Sequence, residues 1–229
     1  MRLPWLSDLW DLVAPRRCAG CGRRLLPDEE LLCLGCLAAL PRVPVHGHDN
    51  PAEHRVFGRF GYRHGASFCY YVRESPFAAL IKAAKYGDRP WVNAGLARLL
   101  AAGLEDGWPY DVDVLVPVPI HGRRRFVRGY NQSEAIAREL GRRWRLPVLT
   151  RCLVKATHTR SQVGRSFHDR FANVGTSFAV RHAGRLRGRH VLLVDDVLTS
   201  GATLTACAQA LTRADAQIRV SFLTLGLAN

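Results

Sequence analysis

Residues 191–204, Val-Leu-Leu-Val-Asp-Asp-Val-Leu-Thr-Ser-Gly-Ala-Thr-Leu, constrain the fold more than any other stretch of the chain. Val191, Leu192, Leu193 and Val194 form an unbroken apolar run, the pattern of a strand buried on both faces of a parallel sheet. Two carboxylates follow at its carboxyl end. Thr199, Ser200, Gly201, Ala202 and Thr203 then open a helical run over 202–213. Ligands of open α/β sheets sit outside the carboxyl ends of strands, and a helix amino terminus preceded by Thr, Ser and Gly offers N–H groups and hydroxyls to a phosphate. Asp195 and Asp196 would repel that phosphate, so they face a neutral or cationic part of the same ligand, either sugar hydroxyls or a magnesium ion. A plain helix cap needs one Ser or Thr, and this series exceeds that. A phosphate and a diol within one turn point to a ribose 5-phosphate.

At 229 residues, 48% of them hydrophobic, the chain has room for one substantial domain and a small one, and its composition excludes disorder. Its 33 Lys and Arg against 19 Asp and Glu give a net charge of +14. Two readings of that charge stand side by side: anionic partners such as nucleic acid or phosphorylated ligands, or a GC-rich genome that writes Arg for Lys. Residues 3–13 are apolar, too short to span a bilayer, and without the basic start or cleavage site of a signal peptide, which predicts a cytoplasmic protein. Leu6, Leu9, Trp10 and Val13 fall on one face of a predicted helix there.

Cys18, Cys21, Cys33 and Cys36 form two C-x2-C pairs. Four thiols so spaced can surround zinc tetrahedrally, leaving no open position for catalysis, and a cytoplasmic chain has little use for paired disulfides. The site is therefore read as structural zinc. A ribbon this small depends on its metal for folding. Arg16, Arg17, Arg23 and Arg24 beside it permit contact with nucleic acid without requiring it.

Pro41 to His54 has no apolar period and reads as a linker; His46, His48 and His54 in it are read as solvated. Val56 to Tyr62 and Phe68 to Val72 read as a hairpin or two short strands. Ser75 and Pro76 open a helix with Leu80, Ile81, Ala84 and Tyr86 on one face, ended by Gly87, and a second helix covers 91–104. Val112, Val114, Val116 and Val118 predict a strand that stops in Pro-Val-Pro. His121, Arg123, Arg124, Arg125 and Arg128 follow in a loop, then Gly129-Tyr130-Asn131-Gln132 and a helix from Ser133 to Trp144. Cationic donors at that strand end suit a pyrophosphate. Residues 155–173 are polar, basic and placed between strands, the character of a mobile cover. Gln217 to Leu225 is predicted to add a last edge strand, and Cys69, Cys152 and Cys207 read as small core residues.

The 191–204 stretch resembles the phosphoribosyl pyrophosphate signature of type I phosphoribosyltransferases, hydrophobic residues followed by two acids and T-[ST]-G-x-T. The V-P-V-P-I run with Arg-Gly-Tyr-Asn-Gln, the Phe77–Gly87 pattern, the Thr157–Asn173 stretch and the four-cysteine ribbon are similar to those of the ComF family of competence-associated, phosphoribosyltransferase-like proteins. After its glycine this chain has Arg165, Ser166, Phe167 and His168, where the family usually has Leu-Ser and an Arg-rich segment. The resemblance implies an α/β fold of the type I phosphoribosyltransferase class, a five-stranded parallel core with a hood. It places a helix and zinc ribbon at 1–42 and the phosphoribosyltransferase-like domain at 55–229. It implies that Asp195 and Asp196 hold ribose hydroxyls, that Thr199, Ser200, Gly201, Ala202 and Thr203 wrap the 5-phosphate, and that Arg128, Lys155 and Arg160, with Gln162, serve the pyrophosphate. Phosphoribosyl pyrophosphate with magnesium is the implied ligand. Single-stranded DNA and a competence helicase or other DNA-processing protein are the implied partners, in DNA uptake or use of extracellular DNA. No residue declares an acceptor base, so two alternatives stand: a transferase, or a DNA-binding adaptor whose nucleotide pocket is regulatory.

Overall fold

The computed structural model describes residues 15–45, 50–86, 90–104, 111–120, 129–155 and 177–228. The expected 3–13 helix, His46, His48, the Gly87 stop, the basic loop at 121–128 with Arg128, and residues 156–173 with Arg160 and Gln162 lie outside them.

Four strands build the central sheet: β1 (Gly65–Tyr71), β2 (Val114–Pro117), β5 (His190–Leu198) and β6 (Arg219–Ala228), in the order β1-β6-β5-β2 and all parallel. Beyond β2 a fifth position is reduced to a single parallel bridge, Leu115 to Val148, with the Leu115 amide donating to the Pro147 carbonyl at 2.9 Å. The opposite edge is covered. Residues 41–43, expected as linker, run antiparallel to β1, with Tyr70 N donating to Pro41 O at 2.7 Å and Val43 N to Phe68 O at 3.1 Å. A covered edge does not recruit foreign strands.

Helices flank both faces, as a parallel sheet requires. On one face α3 (Pro76–Tyr86), α4 (Pro90–Gly103) and α5 (Gln132–Trp144) close a core over Leu192, Val194, Leu223 and Leu225. On the other, α6 (Ala202–Ala214) and the short α2 (Pro51–Val56) cover Val191, Leu193, Val220 and Phe222. A two-stranded antiparallel unit, β3 (Leu153–Lys155) with β4 (Phe178–Val180), packs against α6. Cys69, Cys152 and Cys207 are buried core residues as expected, and burial pushes all three thiols up, Cys69 to about 12.

Two expectations are corrected. β6 is not an edge strand: it lies between β1 and β5, and Val220 through Leu227 are buried. Its Ser221 and Thr224 each find a buried partner, Ser221 with His190 at 2.8 Å and Thr224 with Ser67 at 2.6 Å. Nor does 56–62 begin as a strand. Asn50 caps α2, its Oδ1 accepting from Ala52 N at 3.0 Å and Glu53 N at 3.4 Å, with Pro51 in the first turn; Val56 ends the helix fully buried. Of the stretch expected as a strand, Val56 lies in the helix and is buried, whereas Phe57 just beyond it is 79% exposed.

The four-cysteine segment, which contains α1 (Leu34–Ala38), shares the domain's core. Cys18, Leu25, Leu31, Leu32, Cys33 and Leu40 join the apolar cluster of α3, α4 and α5. Leu31 packs so closely on Gly95 that an added Cβ would sit 2.9 Å from its Cδ2. Arg98 of α4 pairs with Glu30 at 2.9 Å and with Glu139 of α5 at 3.5 Å, linking segment and domain.

Candidate ligand site and four-cysteine cluster

Because the sheet is parallel, the loops leaving β2 and β5 emerge from the same edge and side by side. Asp195 and Asp196 lie in the last part of β5, both half-buried. Ser133 Oγ donates to Asp195 Oδ1 at 2.9 Å, and the Asp196 amide donates to the same oxygen at 2.9 Å. Asp196 Oδ1 accepts from Val197 N at 2.7 Å. The acids are thus oriented before any ligand arrives.

Residues 199–203 follow directly. Gly201 precedes α6 in the left-handed conformation, φ +78°, where a side chain is disfavoured. It is buried, whereas Thr199, Ser200, Ala202 and Thr203 are exposed at the helix amino terminus. Ala202 N donates to Ser200 Oγ at 3.4 Å across the turn, and Thr205 N donates to Gly201 O at 2.9 Å. Backbone donors at such a position attract an anion.

The Gly129–Ser133 motif supplies mechanical support. Gly129 makes the left-handed bend, φ +74°. Tyr130 donates its hydroxyl to Ala84 O and accepts from Asn93 Nδ2 at 3.2 Å, tying the loop to α3 and α4. Asn131 Nδ2 donates to Val118 O at 3.0 Å, while its Oδ1 caps α5 by accepting from Ser133 N at 3.2 Å. That places the Ser133 hydroxyl on Asp195.

Lys155 stands exposed at the end of β3, its ammonium 5.7 Å from the Phe178 ring centre. Besides burial, which pushes the Cys207 thiol well up, Asp195 raises it and Lys155 lowers it, so both charges lie within electrostatic reach of one buried sulfur. Three residues at the site escaped sequence reading. Ser133 had a signal, the Asn cap two positions before it; Arg55 and Arg59, which reach the 199–203 loop from α2 and the turn after it, had none.

The phosphoribosyl transferase domain family matches residues 85–226, which spans both strand ends and the loop. The chain belongs to this family. Within it, the chain is similar to Competence protein F of Haemophilus influenzae, 28% identical over 82% of this chain and 87% of that protein. It is also similar to the DNA utilization protein YhgH of Salmonella typhi, 34% identical over 60% of this chain, and spans 62% of that relative's length. The ComF resemblance carried by the motifs is borne out by these relatives. Among solved structures, the glutamine phosphoribosylpyrophosphate amidotransferase from B. subtilis superposes with a TM-score of 0.43 and 20% identity, over 62% of this chain and 30% of that one. The family match at residues 85–226 and the parallel sheet flanked by helices bear out the fold class expected, with a four-cysteine cluster ahead of the domain.

In that cluster the Sγ atoms of Cys18, Cys21, Cys33 and Cys36 all lie within 4.8 Å of one another, and Cys21 and Cys33 are 3.7 Å apart. Thiolates at the ~2.3 Å zinc–sulfur distance stand about 3.8 Å apart in a tetrahedron, so the donor set fits a thiophilic tetrahedral cation. Burial opposes ionisation of Cys18, but backbone N–H groups of Cys33, Cys21 and Gly20 outweigh it and bring the pKa to about 6. The Cys36 amide likewise lowers Cys33, whereas burial and the neighbouring sulfurs push Cys36 up to about 12. Glu29 braces the second pair, accepting from Leu34 N at 2.7 Å, Leu26 N at 2.8 Å and Arg23 at 3.0 Å. Arg16 and Arg17 donate to carbonyls of the segment itself.

Proposed function

We propose that this chain binds phosphoribosyl pyrophosphate with magnesium at the carboxyl ends of β5 and β2. The observation that supports this best is the Ser133–Asp195 hydrogen bond at 2.9 Å, which aims a carboxylate beside an anion-receptive helix terminus. Asp195 and Asp196 accept the ribose hydroxyls, and Thr199, Ser200, Gly201, Ala202 and Thr203 enclose the 5-phosphate. Lys155, Arg128 and Arg160 serve the pyrophosphate. Magnesium, held by ligand oxygens near these carboxylates, would offset the pyrophosphate charge. In a transfer reaction, pyrophosphate departs from an oxocarbenium-like ribose C1, and the chain's task is to hold the sugar, neutralise the leaving group and exclude water. The cysteine cluster holds structural zinc, the metal-bound segment at 1–42 precedes the transferase-like domain at 55–229, and the protein works in the cytoplasm. Among the described residues no helix is long and apolar enough to cross a membrane.

The names Competence protein F and DNA utilization protein support a role in DNA uptake or use of extracellular DNA. A second reading, single-stranded-DNA binding as an adaptor to a helicase or other DNA-processing protein, draws on one surface. Phe57 is 79% exposed, and Arg55, Arg59 and Arg63 lie near it in sequence; an exposed aromatic with cations close by suits base stacking and phosphate tracking. Thermal unfolding with phosphoribosyl pyrophosphate, with and without magnesium, tests the first reading: a magnesium-dependent rise in Tm is expected, and none contradicts it. Oligonucleotide affinity measured against salt tests the second; a flat dependence removes the basic surface as its basis.

A further inference from the structure

α2 and the turn after it lie against the outer side of the 199–203 loop. Arg55 Nη1 donates to Thr199 O at 3.1 Å, and Arg59 Nη1 donates to Ser200 O. Between them Val56 sits under Gly201, where an added Cβ would meet its Cγ1 at 2.9 Å. α2 is itself anchored: Asn50 Nδ2 donates to Gly65 O at 2.7 Å, and Glu53 Oε1 accepts from Gly65 N at 2.8 Å. The described residues contain no cis peptide, and in a planar trans peptide C=O and N–H point in opposite directions. Holding the Thr199 and Ser200 carbonyls toward α2 therefore turns the N–H groups of Ser200 and Gly201 to the far side of the loop.

We propose that Arg55 and Arg59 are positioning residues of the phosphate loop, fixing its carbonyls outward so that the Ser200 and Gly201 N–H groups face the ligand's 5-phosphate. The inference rests on the ligand assignment above. A charged donor on each carbonyl also polarises its peptide, strengthening the N–H on the other end. Preorganised donors bind an anion without first reordering the loop, and that is the advantage lost when the clamp is removed.

Calorimetry on the full chain separates the possibilities, using ribose 5-phosphate as one probe and magnesium pyrophosphate as the other. Arg55→Ala with Arg59→Ala should weaken ribose 5-phosphate by about tenfold while pyrophosphate changes by less than about twofold, with Arg55→Lys and Arg59→Lys recovering part of the loss. Equal weakening of both probes would overturn the clamp, since general damage to the fold would do the same. Unchanged ribose 5-phosphate binding in the double Ala variant would overturn it with the ligand assignment intact. A wild-type chain that binds no ribose 5-phosphate overturns the ligand assignment and the clamp together.

Discussion

Ser133 Oγ donates to Asp195 Oδ1 at 2.9 Å, joining the first turn of α5 to the end of β5. Ser133 is 2% exposed and is held by Asn131, which also grips the end of β2 through Val118 O. The two strand ends that form the site are therefore one mechanical unit. Ser133→Ala removes one of the donors that orient Asp195, so phosphoribosyl pyrophosphate affinity should fall several-fold. Stability should drop by about 1 kcal/mol in urea titration, the usual loss for one such bond.

Gly201→Ala should harm both loop and helix. At φ +78° a Cβ costs about 1–2 kcal/mol, and here it also meets Val56 Cγ1 at 2.9 Å. Denaturant unfolding should show the loss of stability, and calorimetry should show lost binding of ribose 5-phosphate. A variant as stable as the parent would contradict the packing of α2 against the loop.

Metal removal should reach beyond the cysteines. Leu25, Leu31, Leu32 and Leu40 share a core with Leu96 and Leu100 of α4, so releasing the cluster opens the face that carries α5 and Ser133. Mass spectrometry under native conditions should find one zinc per chain. A chelator should lower the Tm of the whole chain and weaken ligand binding with it; a local loss of ellipticity at unchanged Tm would show the two parts to be independent.

Acid should destabilise the fold through His190. Its ring is fully buried, Nε2 meets Ser221 Oγ at 2.8 Å, and Nδ1 lies 3.0 Å from Asp111 Oδ1. Burial lowers its pKa from 6.5, the Asp111 carboxylate partly opposes this, and Arg219 adds to it. As pH falls below about 6.5 the unfolded chain takes up this proton and the folded one resists, so stability declines down to the folded pKa. Urea midpoints measured from pH 7.5 to 5 should fall for the parent and fall less steeply for His190→Gln.

The 195–203 stretch was legible because its chemistry is local: acids, hydroxyls and a left-handed glycine occupy adjacent positions, and the structure keeps them adjacent. The same is true of the four thiols. What escaped sequence reading depends on distant pairings. Nothing within 217–225 says that its neighbours are β1 and β5, since Ser221 and Thr224 look solvent-facing until His190 and Ser67 are placed opposite them. Residues 56–62 carry aromatic and β-branched residues with glycines between them, as a strand would, and the capping signal of Asn50 and Pro51 stood in a segment read as linker. Arg55 and Arg59 were invisible because their partners, Thr199 and Ser200, are about 140 residues away, and backbone carbonyls leave no trace in side-chain patterns.

The most direct test is calorimetric titration of phosphoribosyl pyrophosphate into the full chain and into Asp195→Asn with Asp196→Asn, each with and without magnesium. Saturable, magnesium-dependent binding in the parent that is lost in the double variant is the predicted result. Equal binding by both chains, or none by the parent, would contradict a phosphoribosyl pyrophosphate site at the end of β5.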